Sequence, residues 1–253
     1  MSQVVLKPVQ SAERVSERDV RVNLAACYRL IAHFGMDDLV FTHISARVPG
    51  RPDQFFLNPY GLMFHEITAS SLVKIDMQAR LVEPTAYQVN RAGFVIHSAV
   101  LAGRPDVNCV LHTHTRSGVA ISSIEEGLLS LNQFSAAYHN RVAYHDYEGV
   151  AEDTDERDRL VRDLGAKHTM ILRNHGLLTA GRTVQEAFAL MYYLEQSCRI
   201  QMDAMASGGT VKILSEDVAE HTAQQFETYG PRGDREWPAL LRLLDAKDPS
   251  FRQ

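Results

Sequence analysis

His112-Thr113-His114 closes an apolar stretch, Val107 to Leu111, and a third histidine stands further along in Arg173-Asn174-His175-Gly176. Side chains two apart on a β-strand project to the same face, so the imidazoles of His112 and His114 can reach one ion. His175 lies at the end of a second strand-like run, Thr169 to Leu172, just before a glycine that lets the chain turn. Three neutral imidazoles and one open position suit a catalytic divalent metal, because the free position takes water or a substrate oxygen. Taken alone, a His-x-His on a strand is more often a half-exposed pair than a ligand pair, so the surrounding sequence must decide.

Proton transfer needs groups that titrate near neutrality, which singles out His97 and His139, with His43, Tyr60, Tyr138 and His145 behind them. The plainer reading competes for each. His97 falls on the apolar stripe of a helical segment, where a hydrogen-bonded core histidine is the ordinary outcome. Tyr144, His145 and Tyr147 can simply close an irregular β-region. The methionines and aromatics at 183 to 207 read as core or interface, not as a cofactor box.

Positioning these groups requires a full core, which 253 residues can bury as one domain spanning 1–253. Apolar residues make up 45% and charged residues 23%, an ordinary globular balance. A net charge of −5 points away from nucleic acid and from anionic membranes, leaving a small-molecule substrate or a protein as the expected partner. Cys27, Cys109 and Cys198 are scattered and odd in number, which fits a reducing compartment rather than a disulfide framework. With no signal-like N-terminus and no apolar run of the roughly 18 residues a span needs, the expected location is the cytoplasm.

Ser16 is placed to cap a helix running to Gly35, with Val20, Leu24, Cys27, Leu30 and Ile31 on one face. Strands are expected at Leu39 to Val48 and Gln54 to Leu57 around a Pro49-Gly50 turn, and a helix over Ala92 to Ala102. A short helix from Ser117 follows the His112/His114 strand. The stretch from Leu128 to Tyr147 reads as β-rich and irregular. Asp153 to Leu164 is expected as a charged helix and Met170 to Leu172 as a strand. Thr183 caps the longest helix, and 211–253 forms a helical tail with an apolar face. Alternating strands and helices give an α/β class.

Over about residues 18–210 the chain resembles the class II aldolase/adducin superfamily. The resemblance is carried by Asn58-Pro59-Tyr60-Gly61, His65 to Leu72, Asn90-Arg91-Ala92-Gly93-Phe94, Arg104-Pro105-Asp106, His112-Thr113-His114, Tyr144-His145-Asp146-Tyr147 and Arg173-Asn174-His175-Gly176. It implies a central, largely antiparallel β-sheet layered with helices. It further implies a metal on His112, His114 and His175, zinc foremost with manganese, cobalt or iron as alternatives, and a homotetramer with sites between subunits.

One scaffold hosts several chemistries, so membership leaves activity open. The family's sugar-phosphate aldolases carry an acid/base glutamate at the place that falls on Gly93 here. Their phosphate pocket falls on His43, on Tyr60 before Gly61, and on Arg91-Ala92, where the small donors are gone. Arg91 can instead clamp a carboxylate. The expectation is a metal-dependent lyase of aldolase or decarboxylase type acting on a small carboxylate or carbonyl compound, with Arg91, His97 and His139 as candidate catalytic residues. The alternatives are a non-catalytic module like the adducin head, whose Asn-x-Ala-Gly-Phe motif also has the glycine, and an iron-dependent oxygenase of an aromatic 2-oxo acid. Adducin's cytoskeletal role goes with a basic tail, and this chain ends Asp248-Pro249-Ser250-Phe251-Arg252-Gln253 without a lysine cluster.

Overall fold

Ser16 accepts a hydrogen bond from the backbone of Asp19, while the Asp19 carboxylate takes the N–H of Ser16. This reciprocal cap starts α1 (Glu17–His33), as the sequence suggests. The computed structural model describes residues 15–149, 156–229 and 233–253. The start of the expected charged helix, Asp153 to Asp155, lies outside the described residues. Its remainder is α5 (Glu156–Leu164).

The strands are β1 (His43–Val48), β2 (Arg51–Leu57), β3 (Val73–Asp76), β4 (Cys109–Thr113), β5 (Val142–His145), β6 (Thr169–Leu172) and β7 (Gly176–Gly181). They form one seven-stranded sheet in the order β3-β2-β1-β4-β7-β6-β5. Each pairing is antiparallel except β5 with β6, so the largely antiparallel α/β expectation stands. Helices cover both faces. Ile44, Ala46, Cys109 and Leu111 pack with α1 and α6 (Val184–Ala206), whereas Val110 and Leu178 pack with α2 (Arg91–Gly103) and α5. Residues alternate along a strand, so His43, Ser45 and His112 share the α2 side.

Several elements differ from the sequence expectation. Leu39 to Thr42 is not strand: Leu39 and Thr42 adopt left-handed backbone angles (φ 50° and 64°), which ends pairing before His43. Within 128–147, a four-residue helix α4 (Gln133–Ala136), capped by Asn132, precedes β5, because the Asn132 side chain satisfies the first helical N–H groups. α3 (Arg116–Ser122) is capped by Thr115. β7 begins at the glycine read as a turn. The left-handed residue there is Asn174 (φ 54°). Gly176 is needed for another reason: a Cβ on it would lie 2.4 Å from the Thr113 carbonyl oxygen of neighbouring β4.

The C-terminal segment docks onto the body of the same chain. Beyond α7 (Glu216–Thr228), Trp237 opens α8 (Trp237–Lys247) and its indole N–H donates to Asn23 of α1 at 2.9 Å. Phe251 is fully buried, and Ala69 and Ser70 donate backbone hydrogen bonds to Phe251 and Gln253. No helix among the described residues is long and apolar enough to cross a membrane.

Candidate functional site

Antiparallel register does the first part of the assembly. β4 pairs with β7 so that His112 stands opposite Leu178, and β6 returns into β7 through the turn 173–175. His112 lies within β4, whereas His114 is one residue past its end, held there as Thr115 begins α3. The turn carrying His175 is pinned: the backbone N–H of Asn174 donates to Ser122, and the Arg173 guanidinium donates to Ile124 while lying 4.3 Å from the centre of the Tyr144 ring. The Thr115 hydroxyl donates to the buried Glu195 carboxylate, tying the end of β4 to α6.

His112, His114 and His175 converge, the one such group of potential ligands among the described residues. Their Nε2 atoms face one another, 2.8 Å from His112 to His114 and 3.0 Å from His114 to His175. The far nitrogens fix the tautomers of the first two. Nδ1 of His112 donates to the Leu177 carbonyl at 2.9 Å, and Nδ1 of His114 donates to the Asp38 carboxylate at 3.0 Å. These two rings therefore turn Nε2 lone pairs toward one point, where His175 Nε2 also lies, an arrangement that a cation would satisfy. Burial, followed by the His175 and His114 imidazoles, holds His112 well below its ordinary pKa. Burial, then His114 and His145, lowers His175 to about 4. Protonation thus offers the cluster little relief near neutral pH, and the donor set fits zinc or another borderline divalent ion.

The loop that brings Asp38 to His114 is strained. Leu39 and Thr42 both sit in the left-handed region, at a cost of order 1–2 kcal/mol for each non-glycine residue. Buried Thr42 Oγ1 has no hydrogen-bond partner. Strain of this sort collects where a side chain must be held for function.

The remaining candidates are distributed unevenly. His97 is fully buried, with Nε2 2.9 Å from Nδ1 of His43 and Nδ1 2.6 Å from the Ser45 hydroxyl. Buried in this way, it contacts His43 rather than the space between the three histidines. His43 pairs with His112 across β1 and β4, and their rings lie 5.2 Å apart. A Cβ at Gly93 would come within 2.5 Å of the His43 ring, so His43 occupies the room a side chain at 93 would need. Arg91 is exposed at the first turn of α2, two residues from that contact, with no hydrogen bond or ion pair among the described residues. His139 is not brought to the triad within the chain. It bonds Ser130 and lies just before the start of β5, whereas the triad gathers at the C-terminal ends of β4 and β6. His145, at the near end of β5, donates from Nδ1 to Asp163 at 2.7 Å. Asp38, Ser45 and the His43–His97 contact were invisible in the sequence, since each depends on register and loop path.

The family model for the class II aldolase and adducin N-terminal domain matches residues 22–202. The crystal structure of an aldolase II superfamily protein from Pseudomonas syringae is 46% identical, with a TM-score of 0.88, covering 94% of this chain and 96% of that one. L-fuculose 1-phosphate aldolase from Glaciozyma antarctica is 29% identical, with a TM-score of 0.84, covering 98% of this chain and 97% of that one. Rat alpha-adducin is 39% identical over 245 residues, covering 90% of this chain, which spans only 33% of adducin's length. The matched motifs, sheet and histidine cluster agree: this chain belongs to the class II aldolase/adducin family.

Proposed function

We propose that the protein is a metal-dependent carbon–carbon lyase acting on a small carboxylate or carbonyl compound, and that it is a poor sugar-phosphate aldolase. The observation carrying this reading is the convergence of the three Nε2 atoms, with two of the far nitrogens already engaged by Leu177 and Asp38. A divalent ion held by His112, His114 and His175 would polarise a substrate carbonyl or enolate oxygen beside the bond that breaks. Decarboxylation and retro-aldol cleavage share an enolate-like intermediate. Decarboxylation needs no base to remove a substrate hydroxyl proton, so a glycine at 93 harms it less.

The chain's own residues then have separable tasks. Arg91, exposed and without a partner among the described residues, offers a planar pair of donors for a carboxylate. His43 and Gly93 leave no carboxylate beside the triad at that position. Asp38 is on the outer nitrogen of His114, so it supports a ligand and does not complete the two-histidine, one-carboxylate set usual for iron oxygenases. A homotetramer with sites between subunits belongs to the same proposal.

The likeness to alpha-adducin favours a second reading, a metal-stabilised module without turnover. The deciding experiment measures metal in protein purified without added metal, then screens 2-oxo and hydroxyaryl carboxylates together with fuculose 1-phosphate. Stoichiometric metal with carboxylate turnover supports the lyase. Metal without any turnover supports the module, and brisk cleavage of fuculose 1-phosphate overturns the substrate assignment.

A further inference from the structure

His145 is the last residue of β5, and its two ring nitrogens have opposite surroundings. Nδ1 donates to the Asp163 carboxylate of α5 at 2.7 Å, so the neutral ring presents a lone pair at Nε2. That Nε2 is sealed from solvent and has no hydrogen-bond partner among the described residues. What it faces is another acceptor: Glu156 Oε1, from the first turn of α5, stands 3.5 Å away. Both residues line a cavity of about 10 Å³, room for one ion or one water, whose wall also includes His175 and Tyr147. Arg173 borders the same cavity, but its guanidinium is committed to the Ile124 and Glu125 carbonyls.

A proton, a water or a metal ion can reconcile two facing acceptors, and the spacing separates the three. A proton on Nε2 would make a charge-assisted bond, which draws nitrogen and oxygen to roughly 2.7–2.9 Å, well inside the 3.5 Å observed. A water donating to both atoms from about 2.8 Å would have them only about 77° apart, too acute for its two hydrogens. An ion about 2.1 Å from each would have them about 113° apart, close to the tetrahedral angle. Asp163 behind Nδ1 completes the carboxylate–histidine–metal arrangement that orients a ligating imidazole, as Asp38 does for His114.

The geometry points to a second divalent-cation site, in which His145 Nε2 and Glu156 Oε1 hold an ion beside the triad, with water completing its shell. One imidazole and one carboxylate suit zinc, manganese or cobalt. Two protein donors against three make this the weaker site. It requires neither turnover nor an ion on the triad, so it stands apart from the lyase reading.

Equilibrium dialysis of the whole chain against zinc should show one tight equivalent and a second, weaker one. As the second enters, the 15N resonance of His145 Nε2 should shift while Nδ1 keeps its proton, a readout that needs no variant. Glu156→Gln should abolish the weak equivalent, and Asp163→Asn should weaken it roughly 10- to 100-fold, both leaving the tight one unchanged. His112→Ala should remove the tight equivalent and spare the weak one. Thermal melting of the metal-free variants checks that they fold. A single equivalent in wild type, a His145 doubly protonated at neutral pH and indifferent to zinc, or a weak equivalent that persists in folded Glu156→Gln overturns the assignment. A wild type with the weak equivalent but no tight one would sink the lyase reading and leave this site standing.

Discussion

Replacing Asp38 tests whether the histidine cluster is built for a metal. The Asp38 carboxylate accepts from Nδ1 of His114 at 3.0 Å, fixing that ring with Nε2 unprotonated. Loss of such an outer partner costs roughly 10- to 100-fold in metal affinity, or about 1.4–2.8 kcal/mol. Asp38 is 39% exposed, so solvent screens its charge and the lower end applies to Asp38→Asn, whose amide oxygen can still accept the proton. Asp38→Ala frees the ring to rotate and belongs at the upper end. The loop itself should survive, because the Phe41 N–H bonds the backbone oxygen of Asp38, not its side chain. Competition titration of zinc against a chromophoric chelator reads the affinity, and thermal melting of the metal-free variants checks that they fold. Equal affinity in wild type and both variants would refute the idea that Asp38 supports a ligand, and with it the strained loop's purpose.

Gly93→Ala should destabilise by roughly 1–3 kcal/mol, because its Cβ meets the His43 ring at 2.5 Å, whereas Gly209→Ala, whose nearest neighbour is Ser207 Oγ at 3.4 Å, should melt like wild type. Adding His43→Ala to Gly93→Ala should recover part of the loss, and strictly additive melting data would show the two sites are uncoupled. Metal-free protein should lose stability in acid. His175 falls from 6.5 to about 4 on folding, so the unfolded chain binds the extra proton between those values. Stability is then complete above about pH 6.5 and declines toward pH 4 by up to roughly 1.4 kcal/mol per pH unit for each such imidazole. A flat urea midpoint across that window would contradict this. Arg91→Ala should lower kcat/KM on the best carboxylate substrate by about ten- to a hundredfold with metal content unchanged, and an unaltered value would remove the clamp.

What could be read ahead of the structure was what local chemistry encodes. The Ser16 cap, the Thr183 cap of α6 and the strand bearing His112 each announce themselves within a few residues. β7 did not, because its first glycine looks like a turn while its real task is to let two strands meet without a Cβ between them. β3 is short and carries a lysine, Lys74, whose ion pairs reach Glu83 past the strand and Glu17 on distant α1. The same division runs through the site. His112 and His114 are neighbours in sequence, but Asp38 reaches them only through a loop with two left-handed residues, and His97 meets His43 only because α2 crosses β1. The glycine at 93 is the sharpest case. As a letter it records a missing carboxylate. In space it is half of a pair, since His43 can lie where it does only if position 93 has no side chain. A glutamate placed at 93 would therefore have to displace the His43 imidazole, so the two positions have to change together.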